Sequence, residues 1–238
     1  MHRAYAEPSD IAGNRALIRG DEAKHMKNVL RMQPGDTFIA FDGTGVDYQC
    51  RVLGAGVDLE AEVISSGRNA TEPALRVTLY QAYPKSAKME DIVQKAVELG
   101  AAGIVPFLSK RCVKRPDDAS RLKRVALAAV KQCGRSVLPE VTDVLAFDAA
   151  MMRMKRHERL VVCWEEEKQT SLREALRGDF SDIGVVIGPE GGFEAAEVDR
   201  MRGVGGVSAT LGPRVLRTET AGIAVLSAIF YDKGQMQY

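Results

Sequence analysis

Apolar and polar positions change their rhythm near residue 70. Before it, Thr37 to Phe41, Val46 to Leu53 and Leu59 to Ile64 are rich in β-formers, and the first two partly alternate. Pro34-Gly35-Asp36, Asp42-Gly43-Thr44-Gly45 and Gly54-Ala55-Gly56 break the runs. Short strands joined by tight glycine turns predict a small antiparallel barrel. One helix interrupts it, with Asp21 capping Glu22 to Leu30. Ser65 to Pro73 is polar and rich in turn formers, which suits a linker between domains over residues 1–70 and 74–238.

After the linker, strands alternate with helices. Leu75 to Gln81, Gly103 to Leu108, Leu160 to Trp164, Ile183 to Ile187 and Val207 to Leu211 carry strand patterns. Helices are expected over Lys88 to Leu99, Ala119 to Cys133, Phe147 to Arg156 and Thr220 to Tyr231. Two more follow, one capped by Ser171 and running to Arg177, one opening near Glu194. In the first of these helices Met89, Ile92, Val93, Ala96 and Leu99 share a face. The pattern predicts an α/β domain with a mainly parallel sheet covered on both sides.

Two strand-to-helix junctions stand out. Ile187-Gly188-Pro189-Glu190-Gly191-Gly192-Phe193 follows one apolar strand, and Leu211-Gly212-Pro213-Arg214-Val215-Leu216-Arg217-Thr218-Glu219-Thr220-Ala221 follows another. Glycines there bring bare backbone N–H groups close to a ligand. Loops at the carboxyl ends of two strands would form one crevice, where open α/β sheets bind their ligands. Thr218 is a candidate helix cap, with Glu219 in the first turn where the dipole favours it. Neither loop has the lysine-bearing phosphate-loop spacing or the Gly-x-Gly-x-x-Gly spacing. Glu190, at the centre of the first, would repel phosphate. The ligand expected is therefore not strongly anionic. Taken alone, Pro189 to Gly192 could equally be a plain turn at a helix start.

Composition adds bounds. Hydrophobic content of 45% with 27% charged residues fits a globular protein. Cys50, Cys112, Cys133 and Cys163 are widely spaced, which favours reduced thiols and a cytoplasmic location over disulfides or zinc. The first eight residues lack the apolar core of a secretion signal, and Ala221 to Tyr231 is too short for a membrane span. Residues 1–72 hold eight Lys/Arg against eleven Asp/Glu, whereas residues 84–135 hold twelve against five. The basic stretch suggests a polyanion partner, with nucleic acid the commonest; a solvated helical face is the alternative.

The two glycine-proline loops together closely resemble the RsmE family, methyltransferases of the SPOUT superfamily that act on N3 of a uridine in small-subunit ribosomal RNA. Other segments agree in order. These are His25-Met26-Lys27-Asn28-Val29-Leu30-Arg31, Lys85-Ser86-Ala87-Lys88 with Ile92 to Gly100, and Lys131-Gln132-Cys133-Gly134-Arg135. Lys131 stands where the family usually has an acidic residue, and Lys85-Ser86 where it usually has Lys-Gly.

The resemblance implies an N-terminal PUA-like β-barrel and a C-terminal α/β-knot tied in a trefoil. It implies S-adenosyl-L-methionine as cofactor, a homodimer with each active site near the subunit interface, and 16S rRNA, within the small ribosomal subunit, as partner. Cofactor contacts are expected from Gly188, Pro189, Glu190, Gly191, Gly192, Leu211, Gly212, Leu216, Arg217, Thr218, Thr220 and Ala221. A third wall is expected near Glu165, although Glu165-Glu166-Glu167 is also readable as an exposed acidic turn. Trp164 is expected in the core.

Uridine N3 carries a proton and is a poor nucleophile, so transfer needs that proton removed or the resulting anion stabilised. Cations aimed at the uracil oxygens would favour the anion. Arg214, Arg217 and Arg135 are the candidates, each also readable as a surface arginine. No base is assigned, and Glu190 is expected to hold loop geometry or an amine. His25, Arg31, Lys85, Lys88, Arg111 and Arg135 are expected on the RNA path, mostly at phosphates. The competing readings are a SPOUT enzyme acting on a ribose 2′-oxygen or another base, and a non-catalytic RNA-binding factor of the same fold.

Overall fold

The structure, a computed structural model, describes residues 1–85, 88–113 and 119–237. Ser86 and Ala87 of the Lys85–Lys88 segment, and Lys114 and Arg115 of the basic stretch, lie outside the described residues. The chain divides into two compact units, Met1–Glu72 with Leu127–Leu138, and Pro73–Ala126 with Pro139–Tyr238.

The first unit is built on a six-stranded sheet of order β1-β4-β5-β6-β3-β2. Its strands are β1 (Arg3–Tyr5), β2 (Ile11–Ala12), β3 (Arg15–Ile18), β4 (Thr37–Phe41), β5 (Val46–Ala55) and β6 (Leu59–Arg68). All pairs are antiparallel except β1 with β4. Two register shifts bend β5, at Gln49/Cys50 and Val52/Gly54. Inward-facing Ile18, Phe38, Ala40, Cys50, Val52 and Leu59 form the core with Met26. Met26 comes from helix α1 (Gly20–Lys24) and the π turn His25–Val29 that continues it. Arg19 occupies the cap position of α1, so Asp21 lies inside the first turn rather than capping it.

Strand β6 continues through Arg68, so half of the expected linker is sheet. The remainder is tied down as well. Asn69 donates to Asp47 (2.8 Å) and to the Gly134 carbonyl (3.0 Å). Glu72 accepts from the Arg135 guanidinium (2.9 Å) and from the backbone N–H groups of Ser136 (3.0 Å) and Val137 (2.9 Å). Arg3 bonds both Asp47 (2.6 Å) and the Ser136 hydroxyl (2.6 Å). These bonds hold residues 134–137 within the first unit, with which residues 127–138 group, a grouping that a division into residues 1–70 and 74–238 does not contain.

The second unit carries a parallel sheet of order β10-β8-β7-β12-β11-β13, with β9 beside β8. Its strands are β7 (Arg76–Ala82), β8 (Gly103–Leu108), β9 (Glu140–Val141), β10 (Leu145–Ala146), β11 (Arg159–Cys163), β12 (Asp182–Ile187) and β13 (Gly206–Ala209). Every pairing in it is parallel. Helices α2 (Lys88–Leu99), α3 (Ser120–Cys133, whose second half from Leu127 groups with the first unit), α4 (Phe147–Met154), α5 (Leu172–Ala175), α6 (Ala195–Gly203) and α7 (Thr218–Asp232) complete the order. In β12, Ile183, Val185, Val186 and Ile187 are all buried, as a strand covered on both faces requires. On one face Tyr80, Phe107, Val162 and Val186 pack with Met154, Phe193, Val198 and Met201. Helix α7 packs against α2, β7 and β12. In α2 the buried positions are Met89, Ile92, Val93, Ala96 and Val97, while Leu99 is half-buried.

Replacing Glu72 by Ala removes the carboxylate beside a nearly buried Arg135 and leaves two N–H groups without an acceptor. The expected loss is about 3 kcal/mol of folding stability, read from the urea midpoint. A variant as stable as the wild type would show that the pair does not hold residues 127–138 in place.

Candidate functional site

Strands β12 and β13 are not neighbours, because β11 lies between them. The loops that follow β11, β12 and β13 nevertheless enclose one cavity of about 280 Å³ at the carboxyl edge of the sheet. Its walls are Trp164, Glu165 and Lys168 from the first loop, Gly188, Pro189, Glu190 and Gly192 from the second, and Thr210 to Thr218 with Ala221 from the third. Cys163 and Ile187 form part of the lining.

The second loop is shaped by its own chemistry. The Gly192 N–H donates to the Pro189 carbonyl (2.9 Å), closing a tight turn. Gly192 has φ +66°, and a Cβ there would collide with the Glu165 carboxylate. Phe193 is buried and stacks on Phe107, with ring centroids 6.3 Å apart, anchoring the end of the loop in the core. Glu194 then caps α6 in a reciprocal capping box with Glu197.

The third loop is held to the second by a side chain. Thr218 is buried, its hydroxyl donates to the Gly188 carbonyl (2.6 Å), and it accepts from Gln81 Nε2 (2.8 Å). The cap position belongs to Arg217, and Thr218 is the first helical residue. Its hydroxyl therefore spans the gap between loops instead of turning back onto its own helix. An ion-pair bridge reinforces the tie. The Lys88 ammonium lies 3.4 Å from Glu190 and 3.1 Å from Glu219. Glu190 also accepts from the Lys85 N–H at 3.1 Å. Burial opposes ionisation of Glu190, but the Lys85 N–H and the Lys88 ammonium outweigh it, and its pKa lies below the ordinary carboxylate value. Burial is likewise outweighed at Glu219, with Lys88 among the causes.

The first loop has its own lock. Glu167 is buried and accepts from Ser208 Oγ (2.5 Å), from the N–H groups of Gln169 (2.8 Å) and Thr170 (3.2 Å), and from Arg202 (3.2 Å). These donors, the Ser208 hydroxyl foremost, pull its pKa down to about 2. Trp164 is half-buried, packs against the core and also lines the cavity, with the Arg202 guanidinium 5.4 Å from the centre of its ring.

The sequence-derived candidates separate on this geometry. Gly188, Pro189, Glu190, Gly192, Leu211, Gly212, Arg214, Leu216, Arg217, Thr218 and Ala221 line the cavity, whereas Gly191 and Thr220 do not. The Gly191 carbonyl instead accepts from Arg111 (2.8 Å). Arg214 and Arg217 are exposed at the cavity. Lys88, expected on the RNA path, is held by two carboxylates. Arg135, expected both there and beside the uracil, is only 4% exposed, groups with the first unit and is bound by Glu72. Its place is that of a buried structural cation. His25 and Arg31 are exposed in the first unit, and Arg31 has φ 54°, rare for a residue with a Cβ. Gln81, Lys168 and Thr210 carry no motif signal and were not anticipated.

The cavity, glycine-lined and free of a phosphate-binding lysine in its second loop, belongs to an α/β unit in a chain that also carries a small β-sheet unit. That combination is the class of the RNA methyltransferases with a PUA domain. A model of the RNA methyltransferase domain matches residues 71–230, and one of the RNA methyltransferase PUA domain matches residues 18–64. The chain is 35% identical to ribosomal RNA small subunit methyltransferase E of Bacillus subtilis, across 90% of this chain and 89% of that one. It is 31% identical to the protein of the same name in Mycobacterium bovis, across 94% and 89%. A crystal structure of ribosomal RNA small subunit methyltransferase E from Neisseria gonorrhoeae bound to S-adenosyl methionine superposes with a TM-score of 0.87, at 29% identity and 97% coverage of both chains. This chain belongs to the ribosomal RNA small subunit methyltransferase E family.

Two tests follow from the loops. Gly192→Val forces a side chain onto an αL backbone and into Glu165, and should lower Tm by at least ~4 °C. At Gly191 a Cβ would meet Arg111 at an ordinary 3.4 Å, so Gly191→Ala should stay within ~2 °C of wild type. Equal melting temperatures for the two variants would contradict the turn geometry. The second test concerns pH. Glu167 has a folded pKa of about 2 against an ordinary 4.5, so its stabilisation is full above pH 4.5 and is lost as pH falls towards 2. Glu167→Gln should therefore flatten the acid-side loss of stability in that window. An unchanged acid profile in urea titrations would remove Glu167 from the account.

Proposed function

We propose that this protein is an S-adenosyl-L-methionine-dependent methyltransferase that modifies N3 of a uridine in 16S ribosomal RNA. The observation that carries the reading is the three-loop cavity, in a chain of this family. Its donor set suits the cofactor: apolar Ile187, Leu211, Leu216 and Ala221 for the adenine, and glycine backbone and Thr210 for its polar edges. The bound cofactor supplies an electrophilic methyl group on a sulfonium.

The protein's own part is to hold that group in line and to make N3 nucleophilic. Arg214 and Arg217, exposed at the cavity, are placed to favour the N3 anion through the uracil oxygens. Glu190 is occupied by Lys85 and Lys88 and serves loop geometry rather than proton transfer. His25, Arg31, Lys85 and Arg111 contact the RNA backbone, and the target base leaves its stack to reach the cavity.

A homodimer belongs to the same reading. Helix α7 buries Val225, Leu226, Ile229 and Phe230 yet leaves Ile223 and Tyr231 exposed, 36% and 77%, so it is apolar on more than its core side. A second copy would cover that face. The trefoil knot is also part of the proposal. Its support is that the chain leaves β13 at the sheet edge and returns as α7 to pack on central β7 and β12. No helix among the described residues is long and apolar enough to cross a membrane.

Incubation with the methyl donor and small subunits from cells lacking this protein should yield 3-methyluridine on nucleoside mass spectrometry. Methyl groups found on a ribose hydroxyl would replace this reading with the rival enzyme, and no transfer to any RNA would leave an RNA-binding factor.

A further inference from the structure

Gln81 ends β7 one residue before its last position and is fully buried. A glutamine without access to water must place four hydrogen-bonding valences inside the protein. Its Nε2 donates to the Ala82 carbonyl (3.0 Å) and to Thr218 Oγ1 (2.8 Å). Among the described residues, Oε1 has no hydrogen-bond partner. It faces Gly222 of α7, where even an added Cβ would lie 3.6 Å away. Buried polar side chains seldom go unsatisfied, so the orientation needs a cause.

The cause lies in the direction of the bonds. Reversing the amide would set Oε1 against the Ala82 carbonyl, two acceptors face to face. Nε2 is therefore fixed toward Thr218. A threonine hydroxyl has a single proton; with one lone pair taken by Gln81 Nε2, that proton is free for the Gly188 carbonyl, and the bond there is short at 2.6 Å. The result is a directed chain, Gln81 to Thr218 to Gly188, from the middle of the sheet to the loop that walls the cavity.

We propose that Gln81 is a positioning residue of the cofactor pocket, setting the donor direction of Thr218 and so holding the loop of residues 188–193 against the start of α7. The proposal rests on the reading of the cavity as the S-adenosyl-L-methionine site. Gln81 does not line the cavity and acts only through Thr218.

The chain reverses in a predictable way. In Gln81→Glu the carboxylate accepts the Thr218 proton, and the Gly188 carbonyl loses its donor. In Gln81→Met, Thr218 keeps its proton for Gly188 but loses its orienting partner. Calorimetric titration of S-adenosyl-L-methionine into the full-length protein should give Kd values raised at least ~10-fold for Gln81→Glu and ~3-fold for Gln81→Met. Steady-state kinetics should show the same rise in KM for the methyl donor, with KM for the RNA within ~2-fold of wild type. In a Thr218→Val background both substitutions should change Kd by less than ~2-fold, because the residue they act through is gone.

Gln81→Glu binding within ~2-fold of wild type, a matching rise in KM for RNA, or full multiplicative losses in the Thr218→Val background would each overturn the proposal. Should Gln81→Glu fail to fold, the Gln81→Met cycle with Thr218→Val decides on the same terms. Wild-type titration separates this inference from the reading beneath it. A wild type that binds no cofactor removes both, while a wild type that binds beside unaffected variants removes this one alone.

Discussion

A single hydroxyl, on Thr218, joins the two glycine loops, and the geometry of the cavity depends on it. Sheet pairing cannot do the same work. Strand β11 separates β12 from β13, so their carboxyl ends lie two strand spacings apart, roughly 10 Å. The loop after β12 turns back on itself through Gly192, and the loop after β13 must cross β11 to reach it. The hydrogen bond to the Gly188 carbonyl fixes that crossing at the first residue of α7. Lys88 fixes it again from α2, by standing between a carboxylate of the loop and one of the helix.

These ties also set the charge of the cavity. Glu190 on the second loop and Glu219 on α7 are both matched to the same ammonium. The Glu165 carboxylate lies against Gly192 of the second loop, while Arg214 and Arg217 stay exposed. The interior is thus apolar and glycine-lined with its cations toward the opening. Such a site suits a donor that is not an anion inside and a polyanion at the rim.

How far this was legible in the sequence depended on length of pattern. Helix α2 and strand β8 have the bounds the sequence predicts, α2 because its apolar face repeats along its whole length and β8 because it is an unbroken apolar run. Strands β1, β2 and β3, of two to four residues, are too short to show one. The two loops announced themselves through glycine and proline at strand ends. Their partners did not. Lys88 counts toward a basic stretch, but its carboxylates are more than a hundred residues away. Arg135 carried a motif and a charge, and burial against Glu72 is visible in neither. Gln81 resembles any polar residue at a strand end. Thr218 was expected to cap its helix, and the actual cap one residue earlier frees its hydroxyl for the neighbouring loop. What the sequence hid were long-range pairings, each decided by which elements the sheet order brings together.

The central claim is that the cavity between residues 164–168, 188–193 and 210–221 takes up the methyl donor. Amide hydrogen exchange with and without S-adenosyl-L-methionine tests it most directly. The account predicts slower exchange confined to those three segments and to the start of α7, with residues 1–72 unchanged. Protection elsewhere with none in these loops, or no protection at saturating cofactor, would contradict it.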